Sequence, residues 1–505
     1  MSAPGLDPTF NDLPHRRLGD VALARAQELG ASHADFRFER NRYQYLGARD
    51  GVLQTASDAE DLGFAVRVVH GGAWGFASGV VLTDDEARRV AETAVSVAKV
   101  AASMTTTPVE LAAEPVHDDV TWISGYDVNP LEVPTREKAA LLVDWTDRLR
   151  TGVVAHATAF LQQVQENKYY ADLAGTRTTQ QRVRLQPGFE ATGEDADTGI
   201  FDSMASIAPP VGRGWEYLDG SHWDWDTEIA EVPDLLAEKL KAPSVESGTY
   251  DLVVDPSNLW LTIHESIGHA TELDRALGYE ANYAGTSFAT YDKLGTLQYG
   301  SPVMNVQGDR TQAHGLATVG FDDEGVQTQT WDIVRDGVLV GYQLDRSMGH
   351  LKPELNGGRS NGCAYADSPG HIPIQRMANV SLMPGTDGLS TDDLIGKVER
   401  GIYVVGDKSW SIDMQRFNFQ FTGQRFYRIT DGRLDGMLRD VAYQATTTDF
   451  WGSMEAVGGQ GTWVLGGAFN CGKAQPGQVA AVSHGCPSAL FRGVNILNTI
   501  DEAGH

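Results

Sequence analysis

Tyr250-Asp251-Leu252-Val253-Val254-Asp255-Pro256-Ser257-Asn258-Leu259-Trp260-Leu261-Thr262-Ile263-His264-Glu265-Ser266-Ile267-Gly268-His269 is the stretch around which the rest of the chain is ordered. Residues 250–254 form an apolar, partly β-branched run of strand length. The run leads into Asp255, a good helix cap, and Pro256, whose fixed φ and missing N–H suit the first helical position. A strand and helix therefore open the C-terminal half. Beyond about residue 315, short strand runs alternate with Gly-rich turns, as in Gly337-Val338-Leu339-Val340-Gly341-Tyr342.

Upstream the grain differs. Ala34-Asp35-Phe36-Arg37-Phe38-Glu39-Arg40 alternates as a half-buried strand does, and residues 64–69 and 74–77 are further strand candidates. Thr83 and Glu86 fit a capping box ahead of Ala87, Val90, Ala91, Ala94, Val97, Ala98 and Ala101 at helical spacing. A second helix is expected over 134–149 with Thr135 as its cap. Alternation in residues 160–165 and 182–185 points to a central antiparallel sheet. Residues 193–226 show no period and read as loop; a short helix over 234–241 ends at Pro243. The expected class is α+β. It comprises an N-terminal α/β domain (15–105), a central helix and antiparallel sheet region (120–242) and a β-rich C-terminal domain (248–497) carrying a metal-binding helix.

His264-Glu265-Ser266-Ile267-Gly268-His269 is H-E-x-x-x-H, one residue longer than the H-E-x-x-H of zinc peptidases. At roughly 100° per residue, positions i and i+5 lie about 140° apart and cannot share one metal on a regular helix. A single π-turn would realign them, so a bulged or broken helix is expected at residues 266–269, eased by Gly268. Otherwise Glu265 is solvated and the two histidines are merely helical. Glu272 and Asp274 read as solvated carboxylates, with orientation of a histidine as the other role open to them.

Two histidines need a further ligand, and zinc accepts thiolate readily. Of Cys363, Cys471 and Cys486, Cys471 stands out. It lies in residues 451–478, where eight of 28 residues are glycine, and Lys473 nearby would favour its thiolate. Cys486, beside His484, is a rival ligand; an inert buried thiol is the alternative for each.

The composition excludes more than it assigns. With 40 Lys and Arg against 68 Asp and Glu, the formal charge is −28, which argues against a nucleic-acid or anionic-lipid surface. Three scattered cysteines make no disulfide framework, which points to a reducing compartment. Residues 1–19 hold no signal-peptide core, and no run approaches the ~20 apolar residues of a membrane span.

These residues resemble those of the TldD/PmbA family of cytoplasmic metallopeptidases, and of its metal-binding TldD-type subunit in particular. His264-Glu265-x-x-x-His269 is similar to its metal motif, and Gly320-Phe321-Asp322-Asp323-Glu324-Gly325 to its D-D-E-G turn. Arg376-Met377-x-Asn379 with Pro384-Gly385, Gly401-Ile402-Tyr403-Val404, Asp50-Gly51 and Gly63-Phe64-Ala65-Val66-Arg67 continue the match in order. The family's third ligand falls on Cys471 in Cys471-Gly472-Lys473. Residues 474–478 and 483–487 depart from the family pattern, which bears on substrate preference.

The resemblance implies a zinc-dependent peptidase acting on short or unfolded peptides. His264, His269 and Cys471 would hold Zn2+, and Glu265 would serve as general base for a metal-bound water. It also implies a cytoplasmic dimer, either with a homologous TldE/PmbA-type subunit or with a second copy. The glycine-rich strands near Cys471 could pair with an extended peptide by β-addition. The rival functions are an assembly subunit with a structural zinc, closed by His484 or Cys486 as fourth ligand, and a metal-dependent hydrolase of a non-peptide amide.

Overall fold

In the computed structural model, which describes residues 4–502, alternation in the first strand separates two buried faces. Helices α1 (Pro8–Asn11) and α2 (His15–Glu28) precede strands β1 (His33–Arg49), β2 (Val52–His70) and β3 (Ala73–Gly79), and helix α3 (Asp84–Ala102) follows. Ala34, Phe36 and Phe38 have no exposed surface and pack with α2 and α3 in one apolar cluster. The alternate residues Asp35, Arg37 and Glu39 are just as buried, against the C-terminal half. The half-buried strand expected here is thus covered on both sides. Thr83 accepts from the Glu86 amide as a cap, whereas the Glu86 carboxylate turns to Arg89, so only half of the capping box forms. Gly75 is needed because α3 lies directly on β3: a Cβ there would sit 1.9 Å from the Ala94 carbonyl oxygen.

The same sheet continues through β4 (Val120–Ile123), β5 (Val154–Asp172), β6 (Arg177–Glu194) and β7 (Phe201–Ala205), in the order β3-β2-β1-β5-β6-β4 with β7 on the other part of β6. Residues 15–105 and 120–242 therefore share one set of ladders, with Phe38 opposite Tyr169 across β1 and β5. Helices α4 (Thr135–Leu149) and α5 (Trp225–Lys241) cover its far end through Leu142, Trp145, Trp225 and Leu236. Three local expectations change. Thr135 is the first helical residue and makes no cap. Residues 193–226 include β7 and a 3-10 turn at Trp215–Leu218. The helix expected at 234 begins at Trp225, capped by Asp224, and runs through Pro233.

The C-terminal half is built on β8 (Gly248–Val254) and helix α6 (Pro256–Ile263), as read. Short strands β9 (Val306–Asp309), β10 (Thr330–Arg335), β11 (Val338–Leu339), β12 (Ala364–Tyr365), β13 (Ile374–Gln375) and β14 (Asn379–Leu382) come next. They are followed by β15 (Arg400–Ile412), β16 (Asn418–Thr430), β17 (Arg433–Leu438), β18 (Val441–Thr446), β19 (Met454–Val457), β20 (Val464–Lys473), β21 (Gln478–Cys486) and β22 (Ala489–Asn498). The pairings β15–β8–β22–β18–β16 close because β16 also pairs with β15, which makes a barrel. Asn258 fixes α6 to it by donating to the carbonyls of Gly406 and Thr422 at 2.9 and 3.0 Å. Strands β20 and β21 form a separate hairpin beside α6. No described helix is long and apolar enough to cross a membrane.

The two halves meet over a polar seam. Arg67 bridges Asp35 (2.8 Å) and Glu324 (2.9 Å), and Lys168 reaches Asp323 at 2.7 Å. The Gly63-to-Arg67 and Gly320-to-Gly325 motifs are therefore partners in one buried ion-pair network.

Candidate metal centre

Helix α6 changes pitch at its C-terminal end. Residues His264–Gly268 form a π-turn, and the amide of His269 bonds to the carbonyl of His264, five residues back. This is the distortion the motif's spacing demands. It brings the two imidazoles to 4.7 Å between centroids. The wider turn needs partners for its carbonyls, and buried side chains supply them. The Tyr299 hydroxyl donates to the Ser266 carbonyl, and Gln343 Nε2 donates to the Gly268 carbonyl at 2.7 Å. Trp451 Nε1 donates to Ser266 Oγ at 2.9 Å.

Gly268 serves this turn differently from the expectation. Its φ of −53° is ordinary helical backbone. The requirement is space, because a Cβ would come 2.5 Å from Met377 Sδ.

Cys471 arrives from β20, where a register shift between Ala468 and Cys471 re-aims the strand. Ligand atoms of His264, His269 and Cys471 lie within 4.8 Å of one another, and all three residues are buried. Cys471 Sγ is 3.6 Å from His269 Nε2. Burial pushes this thiol up, but the His269 ring and Arg376 outweigh it and bring it below the usual thiol value. Arg376 Nη2 donates to the Cys471 carbonyl at 2.6 Å. Lys473, expected to favour the thiolate, points to Glu272 (3.2 Å) and Asp274 (2.8 Å) instead. Two imidazoles and one thiol with a lowered pKa are a donor set that suits zinc.

Glu272 is wholly buried, not solvated. Its Oε2 accepts from His269 Nδ1 at 3.1 Å, which leaves Nε2 facing Cys471. Burial raises its pKa, yet Lys473, His269 and Arg275 together hold it well below the usual carboxylate range. Asp274 is also enclosed, with Lys473 as its counter-ion.

Glu265 stands beside the cluster, 6% exposed. Its Oε2 accepts from Arg416 Nη1 at 2.7 Å. Nothing in the sequence singled out Arg416, which is 151 positions away in the turn between β15 and β16. Neither proposed closing ligand is among the three clustered residues. His484 Nε2 is 2.7 Å from His264 Nδ1, and Cys486 Sγ bonds to the Pro256 carbonyl at 3.6 Å. Cys363 is a free, buried thiol whose pKa burial pushes up to about 12.

Comparison with known proteins bears on this geometry. The profile of the PmbA/TldA metallopeptidase C-terminal domain matches residues 247–498, and that of PmbA/TldA metallopeptidase domain 1 matches residues 34–98. A metalloprotease of Methanothermobacter thermautotrophicus is 27% identical over 474 residues, covering 92% of this chain and 96% of its own. A zinc metalloprotease TldD homolog of Saccharolobus solfataricus is 23% identical, covering 94% and 98% respectively. A solved structure from Thermotoga maritima superposes with a TM-score of 0.76 at 17% identity, over 95% of this chain and all (100%) of its own. TldE from Thermococcus kodakarensis gives 0.68, also at 17% identity, over 95% and 99%.

Proposed function

This chain belongs to the PmbA/TldD metallopeptidase family, and from that premise we propose that it is a zinc-dependent peptidase of short or unfolded peptides. His264, His269 and Cys471 are its metal ligands and Glu265 its general base. Zinc, when bound, would acidify a water and polarise the scissile carbonyl. The remaining work falls to side chains. Arg416 holds Glu265 through Oε2. Oε1 is left to take the proton of the attacking water and pass it to the leaving amine. Glu272 fixes the His269 ring with Nε2 directed inwards.

One observation carries the reading: ligand atoms of His264, His269 and Cys471 converge within 4.8 Å, while His484 is engaged by His264 Nδ1 and the Val380 carbonyl and Cys486 by the Pro256 carbonyl. That favours an open, catalytic site over a closed structural zinc. The partner in this reading is a homologous TldE-type subunit or a second copy, in the cytoplasm; TldE itself shares the fold.

A peptide library digested by zinc-loaded protein, alone and with a TldE-type partner, tests the proposal. Cleavage should require zinc and vanish in C471S. Cleavage that persists in C471S at the wild-type rate and zinc content would overturn the ligand assignment. Absence of peptide cleavage under every condition would overturn the peptidase reading.

A further inference from the structure

His264 and His269 are both supported from behind, but by different chemistry. His269 has the Glu272 carboxylate; His264 has a third imidazole. His484, fully buried on β21, places Nε2 2.7 Å from His264 Nδ1 and Nδ1 2.8 Å from the Val380 carbonyl oxygen. One atom in this chain settles every proton. A carbonyl oxygen only accepts, so His484 Nδ1 carries hydrogen. A neutral imidazole carries one proton, so His484 Nε2 holds a lone pair. His264 Nδ1 must then be the donor, and the lone pair of His264 lies on Nε2, the atom free to bind a metal.

The ring of His484 is itself held in place. Trp260 lies parallel to it, 8° between planes at 6.4 Å between centroids. Gly466 faces His484 across the β20–β21 ladder, and a Cβ there would meet Trp260 at 2.6 Å. The hairpin that carries Cys471 thus also carries the group that orients His264.

We propose that His484 is a positioning residue for the metal: it fixes the Nδ1–H tautomer and ring angle of His264 so that Nε2 is presented beside His269 and Cys471. The proposal rests on the zinc-site reading above and names a role in it for the Ser483-to-Pro487 segment, which departs from the family pattern. Zinc then binds more tightly because the hairpin orients one ligand while supplying another.

The test is zinc affinity of the full-length protein, measured by competition with a chromophoric chelator. In H484Q the amide oxygen can take the place of Nε2 and accept from His264. In H484N the shorter amide reaches Val380 but not His264. H484N should lose zinc affinity about 10- to 100-fold, while H484Q stays within about threefold of wild type. Wild-type affinity in H484N overturns the proposal, and so does an equal loss in both variants, which is what a packing role gives. C471S separates the two levels: if it binds zinc as wild type does, the metal-site reading fails, whereas its loss beside an unaffected H484N removes only the role of His484. Should H484N not fold, 15N-histidine spectra of the wild type decide. The Nδ1–H form of His484 is expected, and the Nε2–H form would overturn the assignment.

Discussion

Glu265 has one oxygen committed to Arg416 and one directed at no protein donor among the described residues, as the proposed general base requires. E265Q should therefore lose at least about 100-fold in peptide cleavage while its zinc content, read by elemental analysis, stays at the wild-type level. His15 makes a different, purely structural prediction. It is 2% exposed against Phe10, Phe38 and Tyr169, and burial, with Arg16 nearby, lowers its pKa from 6.5 to about 4. Between those values the unfolded chain takes up a proton that the folded chain refuses, so stability falls as pH drops from 6.5 to 4. The loss approaches about 3 kcal/mol, and H15F should abolish this part of the pH dependence of urea unfolding. At this scale the sequence was legible for His264, Glu265 and His269, whose spacing alone encodes a geometric demand. It was not legible for Arg416, and for Glu272 and His484 it offered a solvated carboxylate and a closing ligand where the structure has buried partners of His269 and His264. Arg416 and His484 reach the site from distant strands and turns, Glu272 is buried there by Lys473 from the hairpin, and a charged or imidazole side chain reads the same in solvent as in a buried pair.

The π-turn is the element on which the site depends. Its spacing was readable from the five-residue separation of the histidines, but the role of its glycine was not, since that role belongs to Met377 from the segment between β13 and β14. G268A should destabilise the protein by about 1–3 kcal/mol in urea unfolding through overpacking. The same substitution in an M377A background should cost at least about 0.5 kcal/mol less, because the crowding atom is gone. An additive result would mean that the glycine acts through backbone freedom. Strand β1 teaches the complementary lesson. Its alternation is plain in the sequence, yet charged residues on the second face look solvent-bound until the partner surface is known. The sequence marks only residues 234–241 of helix α5 for a related reason: Pro233 and the aromatic residues before it obscure a period that packing on the sheet sustains.

Across the whole molecule, the two halves are joined through buried charges. Arg67 lies between Asp35 and Glu324, all three nearly inaccessible, and this pairing holds Asp35 down at a pKa of about 2 against the cost of burial. R67M strands two carboxylates and should cost about 3–5 kcal/mol, seen as an early loss of cooperative unfolding or a lower midpoint in urea. The α+β class, the strand and helix opening the C-terminal half and the family resemblance could all be read from the chain. The closed barrel and the sheet shared by the first 242 residues could not, since both are set by pairings between distant strands. The proposed metal centre has the same long-range character, with two candidate donors from the turn after α6 and one from the hairpin. X-ray absorption at the zinc edge of the zinc-loaded protein tests that convergence most directly. One sulfur at about 2.3 Å and two imidazole nitrogens at about 2.0–2.1 Å, with one further light atom, are predicted. A shell with no sulfur, or one closed by a third imidazole or a second sulfur, would contradict the account.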